Sequence, residues 1–252
     1  MSSADEPHTQ IRAIRHGQFR NDLALRDCCE AIAAPSYVDA SAVLGREWAR
    51  CDTLYLACGP DGPNAFYLTR FDIVEVDGQW KPTMYLGLSA ARDSEKDRGL
   101  ASQLYAHGVI DAMRWQHHEG DPLILWTTTA TPLVYTMMRG HLIDVAPDPD
   151  GGYSAASARI ASAIRRELGP AYACSGHPFV VKGLAESTRY SQREVARLQR
   201  AKDRSGFRLF DQLGVDETRG DRLLITAALP SGSHPTAVRA QQMSAHGGWE
   251  EA

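Results

Sequence analysis

Long apolar runs are missing from this chain of 252 residues: none approaches the ~20 that a bilayer-spanning helix needs. The first residues, Met1-Ser2-Ser3-Ala4-Asp5-Glu6-Pro7, lack a basic region leading into an apolar stretch, so no secretory leader is expected. A soluble cytoplasmic protein with no membrane partner is the expectation. An excess of one charge is missing too, with 27 Lys+Arg against 31 Asp+Glu and a net charge of −4. That balance excludes a global polycation for nucleic acid and leaves room for a local basic patch. Cysteine is scarce, and Cys28, Cys29, Cys51, Cys58 and Cys174 contain no C-x-x-C pair, which removes zinc ribbons and thioredoxin-type sites. Small buried hydrophobes suit them better than disulfides or nucleophiles. His107, His117, His118 and His141 show neither H-x-x-x-H nor H-E-x-x-H spacing, so no metal site is expected. Ser89 and Ser102 lack a G-x-S-x-G setting, and G-x-G-x-x-G is absent, against a serine hydrolase and a Rossmann enzyme.

What is present is ordinary globular composition, 43% hydrophobic and 23% charged, with both ends polar and Gly/Ser-rich. Ile11 to Ile14 reads as a short strand and Asp22 to Ala33 as a helix. A strand-rich block follows: Thr53 to Cys58, Ala65 to Val76 and Pro82 to Ala90, joined by the turn cluster Gly59 to Pro63 and the hairpin signal Asp77-Gly78. These segments form a meander. The period then changes to helical, with Leu100, Ala101, Leu104, Tyr105, Gly108, Ala112 and Trp115 on one face, until Gly120-Asp121-Pro122. Leu123 to Trp126 is a strand, Pro132 to Arg139 a short helix closed by Gly140, and Leu142 to Val145 a further strand. Beyond the breaker Pro147 to Gly152, two helices are expected: Ala155 to Leu168, capped by Ser154, and one opened by the capping box Ser191 to Glu194. Arg222 to Leu229 is a last strand.

The join between the strand ending near Ser89 and the helix starting near Gly99 carries the chemistry. A polar loop, Arg92 to Arg98, feeds Gly99-Leu100-Ala101 and a helix, whose unpaired first amides and positive dipole end attract an anion. Gly99 and Ala101 are small enough for a pyrophosphate to approach the backbone, and Lys96 and Arg98 supply mobile charge. A plain helix start with a solvated loop is the alternative.

With this order of elements, the sequence resembles the GNAT N-acyltransferases, whose phosphate signature Arg/Gln-x-x-Gly-x-Gly/Ala is matched by Lys96-Asp97-Arg98-Gly99-Leu100-Ala101 except for the lysine. The resemblance covers roughly residues 53–145. It implies an α/β (α+β) fold with a mixed, mostly antiparallel sheet of six or seven strands flanked by helices. It also implies acetyl-CoA or another acyl-CoA as co-substrate and no metal, with transfer of the acyl group to a small-molecule amine. The amides of Arg98, Gly99, Leu100, Ala101 and Ser102, together with Lys96, would hold the pyrophosphate, and backbone groups of Leu86, Leu88 and Ser89 the pantetheine arm. Tyr135, in the helix after the fifth strand, matches the family's proton donor, although four residues separate it from Gly140 and His141 stands where the family has Phe. A core tyrosine is the alternative. Asp72 and Glu75, on the strand before the hairpin, are candidate bases, or else solvent-facing charges.

One further feature is electrostatic. Arg193, Arg197, Arg200 and Arg204 form a narrow stripe on the helix opened by Ser191. Residues 151–221 carry twelve Lys/Arg and eight Asp/Glu, so the remainder of the chain holds −8. Such a stripe can receive coenzyme A phosphates, an acidic carrier protein or a tRNA acceptor stem, or it is a soluble helical face paired with Glu194 and Asp203. A carrier-protein or aminoacyl-tRNA donor on the same fold, and a non-catalytic ligand-binding protein, are therefore the alternatives to an acyl-CoA transferase. Residues 1–150 are expected to form the acyl-CoA-binding core, 151–221 a helical insertion or subdomain, 222–230 the last core strand and 231–252 a flexible tail. Neither a monomer nor a homodimer is selected.

Overall fold

The computed structural model describes residues 9–230 apart from Asp97, Cys174, Ser175, 186–188 and Gly206, and omits the side chains of Arg204 and Ser205. The expected polar ends at 1–8 and 231–252 lie outside the described residues.

In chain order the elements are β1 (Gln10–Arg15), α1 (His16–Phe19), α2 (Leu23–Ala33), α3 (Ala40–Arg50), β2 (Thr53–Gly59), β3 (Gly62–Val76), β4 (Gln79–Ala91), α4 (Leu100–Glu119), β5 (Ile124–Thr129), α5 (Pro132–His141), β6 (Ile143–Ala146), α6 (Ala155–Leu168), β7 (Val180–Val181), α7 (Gln192–Ser205), α8 (Leu209–Gln212) and β8 (Arg222–Ala228). Local chemistry starts most of the helices. Asp22 and Asp39 accept hydrogen bonds from the amides of Leu25 and Ala42, and Ser154 caps α6 through Ser157. From the sequence no element is expected over residues 40–50. They fold as α3 because Ala40, Val43, Leu44 and Trp48 make one buried stripe at helical spacing.

The strands form one open sheet in the order β1-β2-β3-β4-β5-β8-β6, with β7 beside β8, eight strands where six or seven were expected. Strands β1 to β4 are antiparallel. Asp77 and Gly78 both take positive φ, 52° and 75°, as a two-residue hairpin turn between Val76 and Gln79 requires. The β4-α4-β5 crossover makes the one parallel pairing, and β8 returns antiparallel to β5. The far edge of β8 is shared: β7 pairs with Leu223 and Arg222, β6 with Ala228 and Thr226.

Alternation in the strands gives the sheet two apolar faces. On one, Tyr55 donates to Asp111 of α4 at 2.8 Å; on the other, Tyr85 receives Arg50 of α3 at 2.8 Å. The core runs between these layers through Leu54, Phe66, Leu68, Met84, Leu104, Leu125 and Ile225, all buried.

Candidate functional site at the splayed strands

Strands β4 and β5 pair only at Thr83↔Ile124, Met84↔Leu125 and Tyr85↔Trp126. Beyond Tyr85 they separate, with the Thr127 hydroxyl donating to the Leu86 carbonyl at 2.6 Å. Here β4 also carries an extra residue against β3, since Thr69 faces Leu86 and Tyr67 faces Ser89. Leu88 and Ser89 thus lie on a half-buried, bulged strand edge with no β5 partner. The chain leaves this edge through residues 92–98 and enters α4 at Gly99, whose φ of 81° suits glycine and costs other residues about 1 kcal/mol. Gly99 has no side chain with which to cap α4, and the space beside it is open, with no atom of the described residues beyond its chain neighbours within 4 Å of an added Cβ. A helix N-terminus with unmet amides therefore stands at the carboxyl ends of two diverging parallel strands, where α/β sheets form binding crevices.

Lys96 does not carry the mobile charge expected of it. Its ammonium lies 2.9 Å from Glu194 Oε2, 2.9 Å from Asp93 Oδ1 and 2.9 Å from Ser36 Oγ, on a side chain only 13% exposed. Arg98 is exposed and pairs with Glu95 at 3.1 Å. Ser102, in the first turn of α4, is 3.4 Å from His141 Nε2, and the His141 ring sits 5.7 Å from that of Tyr105.

Tyr135 is not brought to this crevice. It is 2% exposed, its hydroxyl donates to the Pro147 carbonyl at 2.8 Å, and its ring packs against Phe207. Burial raises its pKa, so it remains a neutral phenol. Instead α5 continues past Gly140 to His141, and His141 is the α5 residue whose side chain reaches the start of α4. Asp72 is exposed, pairs with Arg70 at 2.9 Å and accepts from the Ile73 amide. Glu75 is exposed opposite Trp80, six positions from Thr69 and so about 20 Å along β3 from the bulge. Both carboxylates belong to the hairpin arm, away from the splay.

A carboxylate the sequence reading missed does reach the bulge. Glu47 Oε2 lies 3.2 Å from where a Gly87 Cβ would be, and Glu47 accepts from Arg50 at 2.6 and 3.1 Å. Arg50 also donates to the Tyr85 hydroxyl and sits 4.7 Å over its ring, which packs at a 39° tilt against Trp126 with centroids 4.6 Å apart. Burial works against the Arg50 charge, but Tyr85 and Glu47 outweigh it; burial and then Glu47 raise the pKa of Tyr85. The cluster thus holds a cation and a neutral phenol at neutral pH. Burial and then Glu47 push the Cys51 thiol up, and burial pushes Cys29 up to about 12, so neither is a ready nucleophile. The one signal available beforehand was Gly87, an isolated glycine inside a strand, which marks a bulge or a close approach.

The arginine stripe is largely engaged. Arg193 pairs with Asp93 at 2.5 Å and Arg197 with Glu194 at 2.7 Å, while Arg200 is exposed; the Arg204 side chain lies outside the described residues. Ser191 accepts from the Glu194 amide as half of the expected capping box, but the Glu194 carboxylate turns to Lys96 and the Ser191 amide bonds Ser36.

An antiparallel meander, a bulged fourth strand, a glycine-started helix and a parallel fifth strand that splays away now stand in the order the resemblance implied. The fold is GNAT-like. No family model matches the chain, and no curated protein matches it in sequence. Among solved structures it is similar to the GNAT family N-acetyltransferase YhbS from Escherichia coli in complex with CoA, at 18% identity over 54% of this chain and 70% of that one, TM-score 0.40. It is also similar to a mutant AtaT toxin bound to the C-terminus of the antitoxin AtaR and acetyl-CoA, at 18% identity over 54% and 85% of the two chains, TM-score 0.38. A GNAT family acetyltransferase from Brucella melitensis with acetyl-CoA gives 17% identity over 48% and 76%, TM-score 0.33. Among the described residues of this GNAT-like chain no group of three or more His, Cys, Asp or Glu is placed to hold a metal ion, and no helix is long and apolar enough to cross a membrane.

Proposed function

We propose that this protein is an N-acyltransferase, moving an acyl group from acetyl-CoA or another acyl-CoA to the amine of a small molecule. The observation that carries the reading is the glycine-started α4 N-terminus at the open end of the β4-β5 splay. The amides from Leu100 to Ser102 supply donors and partial positive charge for a pyrophosphate without a mobile side chain. The free β4 edge at Leu88 and Ser89 offers backbone groups to an extended pantetheine arm, which adds to it as a strand would. On the opposite face of the sheet Glu47, close against the Gly87 bulge, is the carboxylate best placed to take the proton of an incoming amine, directly or through one water. Arg50 fixes its orientation through two hydrogen bonds. Chemistry of this kind needs mainly alignment of amine and thioester, which a rigid strand edge provides.

A carrier-protein or tRNA donor drew its support from the arginine stripe, and ion pairing of Arg193 and Arg197 within the chain weakens that support. Calorimetric titration with CoA, acetyl-CoA and longer acyl-CoAs tests the leading reading, with saturable heat expected. The exposed Ala101→Glu substitution separates binding from folding. An acidic residue in the first turn favours the helix by about 0.3–1 kcal/mol yet repels an anionic ligand. The expected result is an unchanged or higher Tm with CoA affinity reduced at least ~10-fold. Undiminished binding would sink the assignment of this helix end.

A further inference from the structure

The extra basic segment reaches the candidate donor loop through a network of buried charge. Glu194, only 5% exposed on α7, joins Lys96 of the loop at 2.9 Å and Arg197 of its own helix at 2.7 Å. Lys96 also holds Asp93, three residues earlier in the loop, which takes Arg193 of α7. A third segment meets the same ammonium: Ser36, in the turn between α2 and α3, accepts from Lys96 by its side chain and from the Ser191 amide by its carbonyl. Beside it the Tyr37 and Tyr190 rings stack at 5.2 Å, and the two residues make an antiparallel bridge. Among the described residues the loop's other ion pair, Glu95–Arg98, lies within the loop itself and does not tie it to a neighbouring element. The network contains three cations and two carboxylates, leaving positive charge next to the helix start.

We propose that Glu194 is a positioning residue for the donor site: α7 buttresses the 92–98 loop and thereby sets the orientation of the α4 first-turn amides. This rests on the reading of that helix end as the CoA site. Burial opposes ionisation of Glu194, but the hydrogen bonds from Arg197 and Lys96 outweigh it and hold the carboxyl below its ordinary range. With Glu194 neutralised, Lys96 loses its charged partner on α7, and the more exposed Arg193–Asp93 pair is the remaining ion pair described between the loop and that helix. The segment that makes this chain longer than its core would then act on the donor rather than on the acceptor.

The test compares wild type with Glu194→Gln, which keeps shape and removes charge, and Glu194→Ala, well below the unfolding temperature. Hydrogen-deuterium exchange is followed at the hydrogen-bonded amides of Glu95, Lys96, Arg98 and Gln103 without ligand, and CoA affinity is measured by calorimetry. The expectation is faster exchange at those amides in both variants and a CoA Kd raised about tenfold, as displaced binding groups produce. Exchange unchanged there, or CoA bound within about twofold of wild type, overturns the proposal, because a merely stabilising Glu194 would lower Tm and leave both untouched. Should wild type bind no CoA at all, the donor reading falls while exchange alone decides the buttress: acceleration supports it and no change overturns it. If the alanine variant fails to fold, the glutamine variant carries the same comparison.

Discussion

Tyr135 and Glu47 illustrate how a side chain's role follows from where its polar atoms find partners. The Tyr135 hydroxyl is consumed by the Pro147 carbonyl, whereas the Glu47 carboxylate stands against a strand bulge, accepting from Arg50 and Cys51 among the described residues. Tyr135→Phe should therefore lower stability by about 1–3 kcal/mol, since a buried carbonyl loses its donor, and leave the rate of acyl transfer unchanged. Thermal unfolding together with steady-state kinetics checks both halves. A fall in kcat at unchanged KM would return Tyr135 to the proton-donor role. The tyrosine's type and position were legible in the sequence; its partner twelve residues away was not, because the Pro147 carbonyl and the Phe207 ring are brought to it by tertiary packing.

Among the elements, β4 does the most to define the site. Its pairing with β5 stops after three positions, and its bulge brings the backbone close to Glu47 and to the Leu68 carbonyl. A Cβ at position 87 would lie 2.8 Å from that carbonyl oxygen and 3.0 Å from the Tyr85 ring, neither of which can move cheaply. Gly87→Ala should cost about 1–3 kcal/mol and weaken CoA binding with it. Chemical denaturation with an unchanged m-value and a lower midpoint is the expected observation, and a neutral substitution would mean the bulge is soft. The meander, the long α4 and the strand after it could be read from periodicity and turn residues, because those signals are local. By contrast α3 is not legible by period alone, although Pro35 and the Asp39 cap mark its start, because its apolar stripe of Ala40, Val43, Leu44 and Trp48 is short and is interrupted by Gly45.

Across the whole molecule, the basic segment and the acidic remainder meet in ion pairs rather than standing apart. Lys96–Glu194 and Arg193–Asp93 join α7 to the loop before α4, and Lys182–Asp221 ties the β7 turn to the start of β8. Glu194 is held below its ordinary value of 4.5, so its contribution is complete above that value and is lost as pH falls through the depressed one. The difference in unfolding free energy between wild type and Glu194→Gln should accordingly stay level from pH 7 to about 5 and shrink below about pH 4. At neutral pH it should reach about 3–5 kcal/mol, the usual effect of removing one member of a buried pair. Urea melts at a series of pH values measure it, and a difference that widens in acid would show that the sign is wrong.

The sequence by itself determined the antiparallel meander, the long helix α4 and the strand after it, the Asp77-Gly78 turn, the Ser154 cap and the glycine at the start of α4. Each of these is settled by periodicity, hydrogen bonds or dihedral preferences that are local in the chain. Only the tertiary structure decided that Lys96 is a tether and not a free charge, that the capping-box carboxylate leaves its box, and that Glu47 rather than Asp72 or Glu75 lies at the bulge. Lys96 and Glu194 are 98 positions apart, and two ionised groups so distant in sequence pair only when packing removes water from both at one place.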